Sequence, residues 1–374
     1  MRPRTQAPTL LHWLLCACAL ATPSLAAGPA LTPVPGSERS WEVTFDIQAP
    51  EIPQGGSQEF AISLPLKSAG HADEPRSVAI SVPPDHSNPR PISILLEGVE
   101  AQPSRIALIR GPGVTSQAPL QFSFTARTWN TRIDEQIARA CAWPEGAWAS
   151  DLMPYLQADG QVESEILPIR TFVKALVGAD PRAKPPYDLA KQLAAAAIDH
   201  CRAAPNADSD APEKPDAVLA RIVMGRAASD EELPVFLCAV YRAAGLPARL
   251  LRGVDVEITD SGELRPCRHT WVEFLLPSAD GDGGEWIPVD IVRQRRISPR
   301  APSPMPSWGW FGNNSALQNV IPFAASPLAA AHQRTMQVQA LAPDCPICPD
   351  RAEQPQSDNQ RGVHIRPAEA KPDR

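Results

Sequence analysis

No segment of this sequence offers the run of about 20 uncharged apolar residues that crosses a hydrocarbon core. The longest apolar stretch runs only from Leu10 to Ala21, and no later segment reaches the required length without charges. A membrane-spanning helix is therefore excluded. Positive charge is also short, with 35 Lys and Arg against 42 Asp and Glu, a net charge of −7. A mildly acidic chain has no global field to attract nucleic acid or an anionic membrane surface, so neither is expected as a partner. An internal repeat is lacking too, and the elements must be read one by one. Proline, by contrast, is abundant. The chain has 43 prolines in 374 residues, roughly twice the usual ~5%, which argues for interrupted elements and against long helical bundles and coiled coils. A composition of 43% hydrophobic and 21% charged residues suits a globular protein with one or two cores and excludes a wholly disordered one.

The first residues carry an export signal. Arg2 and Arg4 precede the Leu10–Ala21 stretch, and Ser24 and Ala26 supply small residues at the −3 and −1 positions for cleavage after Ala26. Residues 1–26 are expected to be a signal peptide, giving a periplasmic or secreted protein. Leu15-Cys16-Ala17-Cys18 also reads as a lipobox with lipid on Cys18, although a Cys before the small residue is unusual there. Processing leaves Cys141, Cys201, Cys238, Cys267, Cys345 and Cys348. In an oxidising compartment these permit up to three disulfides, whose connectivity the sequence leaves open.

Hydrophobic period divides the rest of the chain. Trp41, Val43, Phe45 and Ile47 alternate, as do Phe60, Ile62 and Leu64, then Val78, Ile80 and Val82, then Leu120, Phe122 and Phe124. Such alternation predicts half-buried strands, and residues 27–128 read as a β-sandwich domain. Helical spacing begins at Ile133, Ile137 and Ala140, opening an α+β domain over 129–298. Helices are expected over Asp188–Ala203, Asp216–Met224 and Glu231–Ala244, the last with an apolar stripe of Leu233, Phe236, Leu237, Val240 and Ala244. Strands should follow at Arg249–Val256, His269–Leu276 and Trp286–Ile291. Residues 299–374 read as a Pro-rich, largely irregular extension.

Four motifs stand in order: the third helix, Tyr241–Gly253 with its Gly-Leu-Pro-Ala-Arg, Arg268–Phe274 with His-Thr-Trp-Val-Glu, and Glu285–Asp290 with Trp-Ile-Pro-Val-Asp. Over roughly 185–295 this order resembles the transglutaminase-like superfamily, which is related to papain-type cysteine enzymes. The resemblance implies a cysteine nucleophile at the start of the third helix, where unpaired N–H groups and the helix dipole stabilise a thiolate. It also implies that His269 accepts the proton and that Asp290 fixes the imidazole. Counting 19 residues back from Arg249, the family spacing puts the nucleophile at position 230, which is Asp. Attack by a carboxylate on an amide would form a high-energy anhydride, so thiol catalysis is lost at Asp230.

Other residues compete for these roles. Cys238 lies eight residues on, about 12 Å along the helix, and cannot take the same place. Cys267 precedes His269 by two and shares its face if the strand is regular, although Pro266 reads as the strand start. Both also read as disulfide or buried thiols. Ser229-Asp230-Glu231-Glu232 is a capping box with acids in the first turn, so Asp230 equally stabilises a helix start. Trp271 and Trp286 read as core residues before ligand platforms. An Asp–His–Asp metal site has no other support, and no cofactor or metal is expected. Cys345-Pro-Ile-Cys348 lacks the context of a redox or metal motif and reads as a local disulfide. The expectation is a degenerate cleft formed by Asp230, His269 and Asp290 that binds a peptide or protein, with an active cysteine-dependent amide hydrolase or acyl transferase as the alternative.

Overall fold

The computed structural model describes residues 28–47, 57–64, 68–73, 79–81, 93–97, 105–112, 120–201, 214–258, 264–278, 283–303, 305–326 and 363–367. Residues 1–26, read as a signal peptide and including Cys18, and the Cys345/Cys348 motif lie outside these residues.

The first strands are β1 (Leu31–Pro33), β2 (Arg39–Ile47), β3 (Ser57–Leu64), β4 (His71–Asp73), β5 (Ala79–Ser81), β6 (Ser93–Glu97), β7 (Arg105–Pro112), β8 (Leu120–Thr128) and β9 (Thr131–Ile133). β2, β3, β5 and β8 lie where the sequence alternates, with Val78 and Val82 outside the described residues. Trp41 and Val43 of β2 face Ala126 and Phe124 of β8 in register, and all four side chains are buried. Burying one such large side chain contributes roughly 1.5–3 kcal/mol. The Trp41 indole N–H finds an acceptor in Thr128 Oγ1 at 2.8 Å. β4 and β5 both pair with β8, and β3, β7 and β6 form a second antiparallel sheet.

Helices follow: α1 (Glu135–Ala140), α2 (Leu167–Val177), α3 (Pro186–His200), α4 (Pro215–Val223) and α5 (Glu232–Ala243). Proline opens α3 and α4 at the first turn, where its missing N–H costs no hydrogen bond. Gly245, at φ 82°, reverses the chain after α5, and the N–H groups of Gly245 and Leu246 return to Arg242 O and Tyr241 O at 2.9 and 3.0 Å. Next come β10 (Ala248–Ile258), β11 (Leu264–Pro277), β12 (Gly284–Val289), α6 (Ile291–Ile297), β13 (Val320–Ser326) and β14 (Val363–Pro367). The central sheet is antiparallel in the order β12-β11-β10-β13. Val272, Phe274 and Leu276 alternate along β11 and share a core with Leu233, Phe236, Leu237, Val240 and Ala244, the stripe predicted for α5.

Four expectations are corrected. Residues 28–33 belong with the later region: β1 pairs with β9, and the Ala30 and Leu31 N–H groups donate to Glu285 Oε2 at 2.8 and 3.1 Å. The chain through residue 326 is no extension, because Trp308 and Phe311 enter the helical core and β13 completes the central sheet. β11 begins at Leu264, so Pro266 lies inside the strand. Cys141, Cys201 and Cys238 are buried thiols outside any disulfide.

Candidate active site

Two sequence signals conflict at the start of α5. The capping box closes as expected, with the Ser229 N–H donating to Glu232 Oε2 at 2.8 Å and the Glu232 N–H donating to Ser229 Oγ at 3.2 Å. Pro234 has no N–H to give the Asp230 carbonyl, so regular helical bonding is counted from Glu232 although Leu233 N already bonds to Ser229 O at 3.1 Å. Asp230 thus lies in the turn before α5, and Glu231 is the helix's N-cap. The Asp230 carboxylate is half-exposed and clamped by α6, with Arg295 Nη2 at 2.5 Å and Arg296 Nη2 at 2.8 Å. Burial would raise its pKa, but the hydrogen bonds and charges of Arg296 and Arg295 prevail and hold the carboxyl below its usual range.

His269 stands on β11 opposite Gly253, which presents no side chain. Its ring stacks on Trp271 at 5.7 Å and 16°, and its Nε2 lies 2.8 Å from Asp290 Oδ2. Asp290 follows β12 and is fully buried. It is also the N-cap of α6: its Oδ1 accepts the Arg293 N–H at 3.1 Å, and its own N–H donates to Trp310 O at 2.9 Å. Burial acts to raise the Asp290 pKa, yet the charge and hydrogen bond of His269 and the Arg293 guanidinium hold it below the usual carboxylate range. Nε2 donates to the ionised carboxylate, and in the neutral form of the ring Nδ1 is then the acceptor that a general base needs. Arg293 ties the pair further, with its Nε 3.5 Å from Asp290 Oδ2, an ion pair to Asp255, and its guanidinium over the Trp310 ring at 5.3 Å.

The structure therefore joins His269 to Asp290 directly and joins Asp230 to the helix that Asp290 caps. No hydrogen bond or ion pair links Asp230 to His269. Cys267 pairs in register with Asp255 on β10 and is half-buried. Cys238 is fully buried, and burial pushes its thiol up to about 12; protonated thiols are poor nucleophiles. Trp271 is buried, and Trp286 carries the Arg249 guanidinium 4.3 Å above its ring and Tyr155 at 4.9 Å. Both make packing contacts of the kind read for them as core residues; their role as ligand platforms remains a proposal. Among the described residues, no group of three or more His, Cys, Asp or Glu is arranged to hold a metal ion.

Two features of the site escaped the sequence reading. One is the arginine set of α6, whose signal was present: an Asp followed by Ile-Val-Arg-Gln-Arg-Arg-Ile is a capped, basic helix. The other is Cys201, a buried thiol within electrostatic reach of Arg295 and Glu232, raised by burial to about 12.

With this geometry in place, the comparisons define the class. Residues 175–291, which carry α5, β11, β12 and Asp290, match the transglutaminase-like superfamily and form a domain of that kind. No curated protein matches the sequence. Among solved structures, a proposed cysteine protease from Cytophaga hutchinsonii is similar, with 14% identity, a TM-score of 0.49, and coverage of 79% of this chain and 83% of that one. The periplasmic domain of TgpA from Pseudomonas aeruginosa is 15% identical with a TM-score of 0.34, over 73% of this chain and 96% of that one. Among the described residues, no helix is long and apolar enough to cross a membrane.

Proposed function

We propose that the chain is an exported protein in which a β-sandwich precedes a transglutaminase-like domain that has lost its thiol nucleophile. The domain holds a peptide or protein segment in the inherited cleft and needs no cofactor. The observation that carries this reading is the pairing of Asp230, two residues before α5, with Arg295 and Arg296 of α6, the helix that Asp290 of a retained His269–Asp290 pair caps. A carboxylate neutralised by two guanidiniums is a structural anchor and a weak nucleophile toward an amide. Export is supported by the Arg2-to-Ala26 pattern, and N-terminal sequencing of the secreted protein is expected to begin at Ala27.

A second reading starts from Cys267, a half-buried cysteine two residues before His269 on β11. It would make the protein a cysteine-dependent amide hydrolase or acyl transferase. Assays of glutamine–amine crosslinking and of peptide cleavage separate the two. No turnover is expected from the purified protein, and turnover abolished by Cys267→Ser would establish the enzyme instead. The complementary trial is Asp230→Cys, which is expected to add a rapidly alkylated thiol. If iodoacetamide reacts there no faster than with a denatured-state cysteine, the inherited-cleft reading fails.

A further inference from the structure

The last strand of the chain returns to the first long one. Among the described residues, β14 pairs antiparallel with β2 alone, at the end of the β14-β2-β8-β4 order. Its register places Val363, Ile365 and Pro367 opposite Phe45, Val43 and Trp41, and places Arg366 opposite Glu42. Three apolar positions and one pair of opposite charges therefore coincide. A slip by one residue would move every apolar position to the other face and set Arg366 beside an uncharged neighbour. The pairing thus has a sequence code and is more than the adhesion of any free tail to any free edge.

Between the end of β13 at Ser326 and Val363 lie 36 residues, enough to span at most about 120 Å. Such a length does not oblige the strand to find the β2 of its own copy. In a second copy the β2 edge is the same, so an exchanged strand forms the same ladder and the same cross-strand pairs. We propose that the outer edge of β2 is a docking edge for an extended segment of this pattern, and that residues 363–367 of a second copy occupy it by reciprocal strand exchange. The balance between closed monomer and exchanged dimer is then set by the effective concentration of residues 363–367 at the β2 edge of their own copy, on the order of 1 mM.

Two measurements on the full chain test this. In the first, the unaltered protein is followed by multi-angle light scattering as it is concentrated. A dimer is expected to grow in as the concentration approaches about 1 mM, and a mass that stays monomeric throughout overturns the exchange. In the second, the double substitution His364→Pro and Ile365→Pro removes a ladder donor whichever of the two N–H groups faces β2. This variant is expected to stay monomeric. It should also bind a labelled peptide of residues 361–369 at least tenfold more tightly than the unaltered protein, whose edge is filled, and should ignore a scrambled peptide. Equal binding to both proteins, or none to a variant with native circular dichroism, overturns the docking edge. Because the scattering measurement uses the unaltered chain, it decides the exchange even if the variant does not fold.

Discussion

Glu273 has no exposed surface, and its carboxylate holds Arg249 at 2.5 Å and the Ala69 N–H at 3.1 Å. Removing one partner of such a pair strands the other in a low-dielectric interior. Glu273→Ala should cost about 3–5 kcal/mol, read as a lower urea midpoint, and the double variant Glu273→Leu with Arg249→Met should lose much less than the sum of the single losses. Asp290 and Asp230 give a pH dependence. Both titrate lower in the folded chain than their ordinary value of about 3.9. Each therefore contributes stability that is present above the unfolded value and lost as pH falls through the depressed folded value. Urea midpoints are expected to fall below about pH 4, and Asp290→Asn should flatten the fall more than Asp230→Asn, because only Asp290 is fully buried. Equal slopes in all three proteins would show that neither carboxylate is coupled to folding.

At the scale of elements, α5 and its surroundings carry testable joints. Ser229→Ala opens the capping box and should cost about 1 kcal/mol. Gly253 sits where β10 shifts register against β13, and an added Cβ would come within 2.3 Å of Ile321 O. Gly253→Ala should therefore cost roughly 1–3 kcal/mol by prising β13 from the sheet, and hydrogen exchange at Ile321 would report it. The extent of α5 was legible because its apolar stripe, its capping box and Gly245 agree. The His269–Asp290 contact was legible only through family spacing. β13 was not, because Pro322 and the prolines before it read as irregular chain; at the edge of the sheet a proline is tolerated, since its absent N–H need not face a partner. The clamp on Asp230 was illegible for a different reason. It joins residues 65 and 66 positions apart, and local pattern gave Asp230 a sufficient role as a helix start.

Across the whole molecule, the earliest segments are held by the latest. Ala30 is anchored by Glu285, 255 residues away, Arg39 donates to Asn319 at a separation of 280, and Trp41 reaches Gln318 O at a separation of 277. Closing such loops is entropically slow, and contacts of this range dominate the folding time. Refolding from urea should accordingly take milliseconds to seconds or longer, a rate readable by tryptophan fluorescence because Trp41, Trp271 and Trp308 are all buried. The same wiring fixes when, during synthesis, the fold can close. A chain growing from its N-terminus has made β1 and β2 long before Glu285, Gln318 and Asn319 exist, so it emerges with these partners missing and stays open to a protease or to a translocation channel. Stalled chains ending at residue 298 are expected to be digested through their N-terminal strands, whereas chains long enough to expose residue 326 beyond the ribosome acquire protection there in a single step.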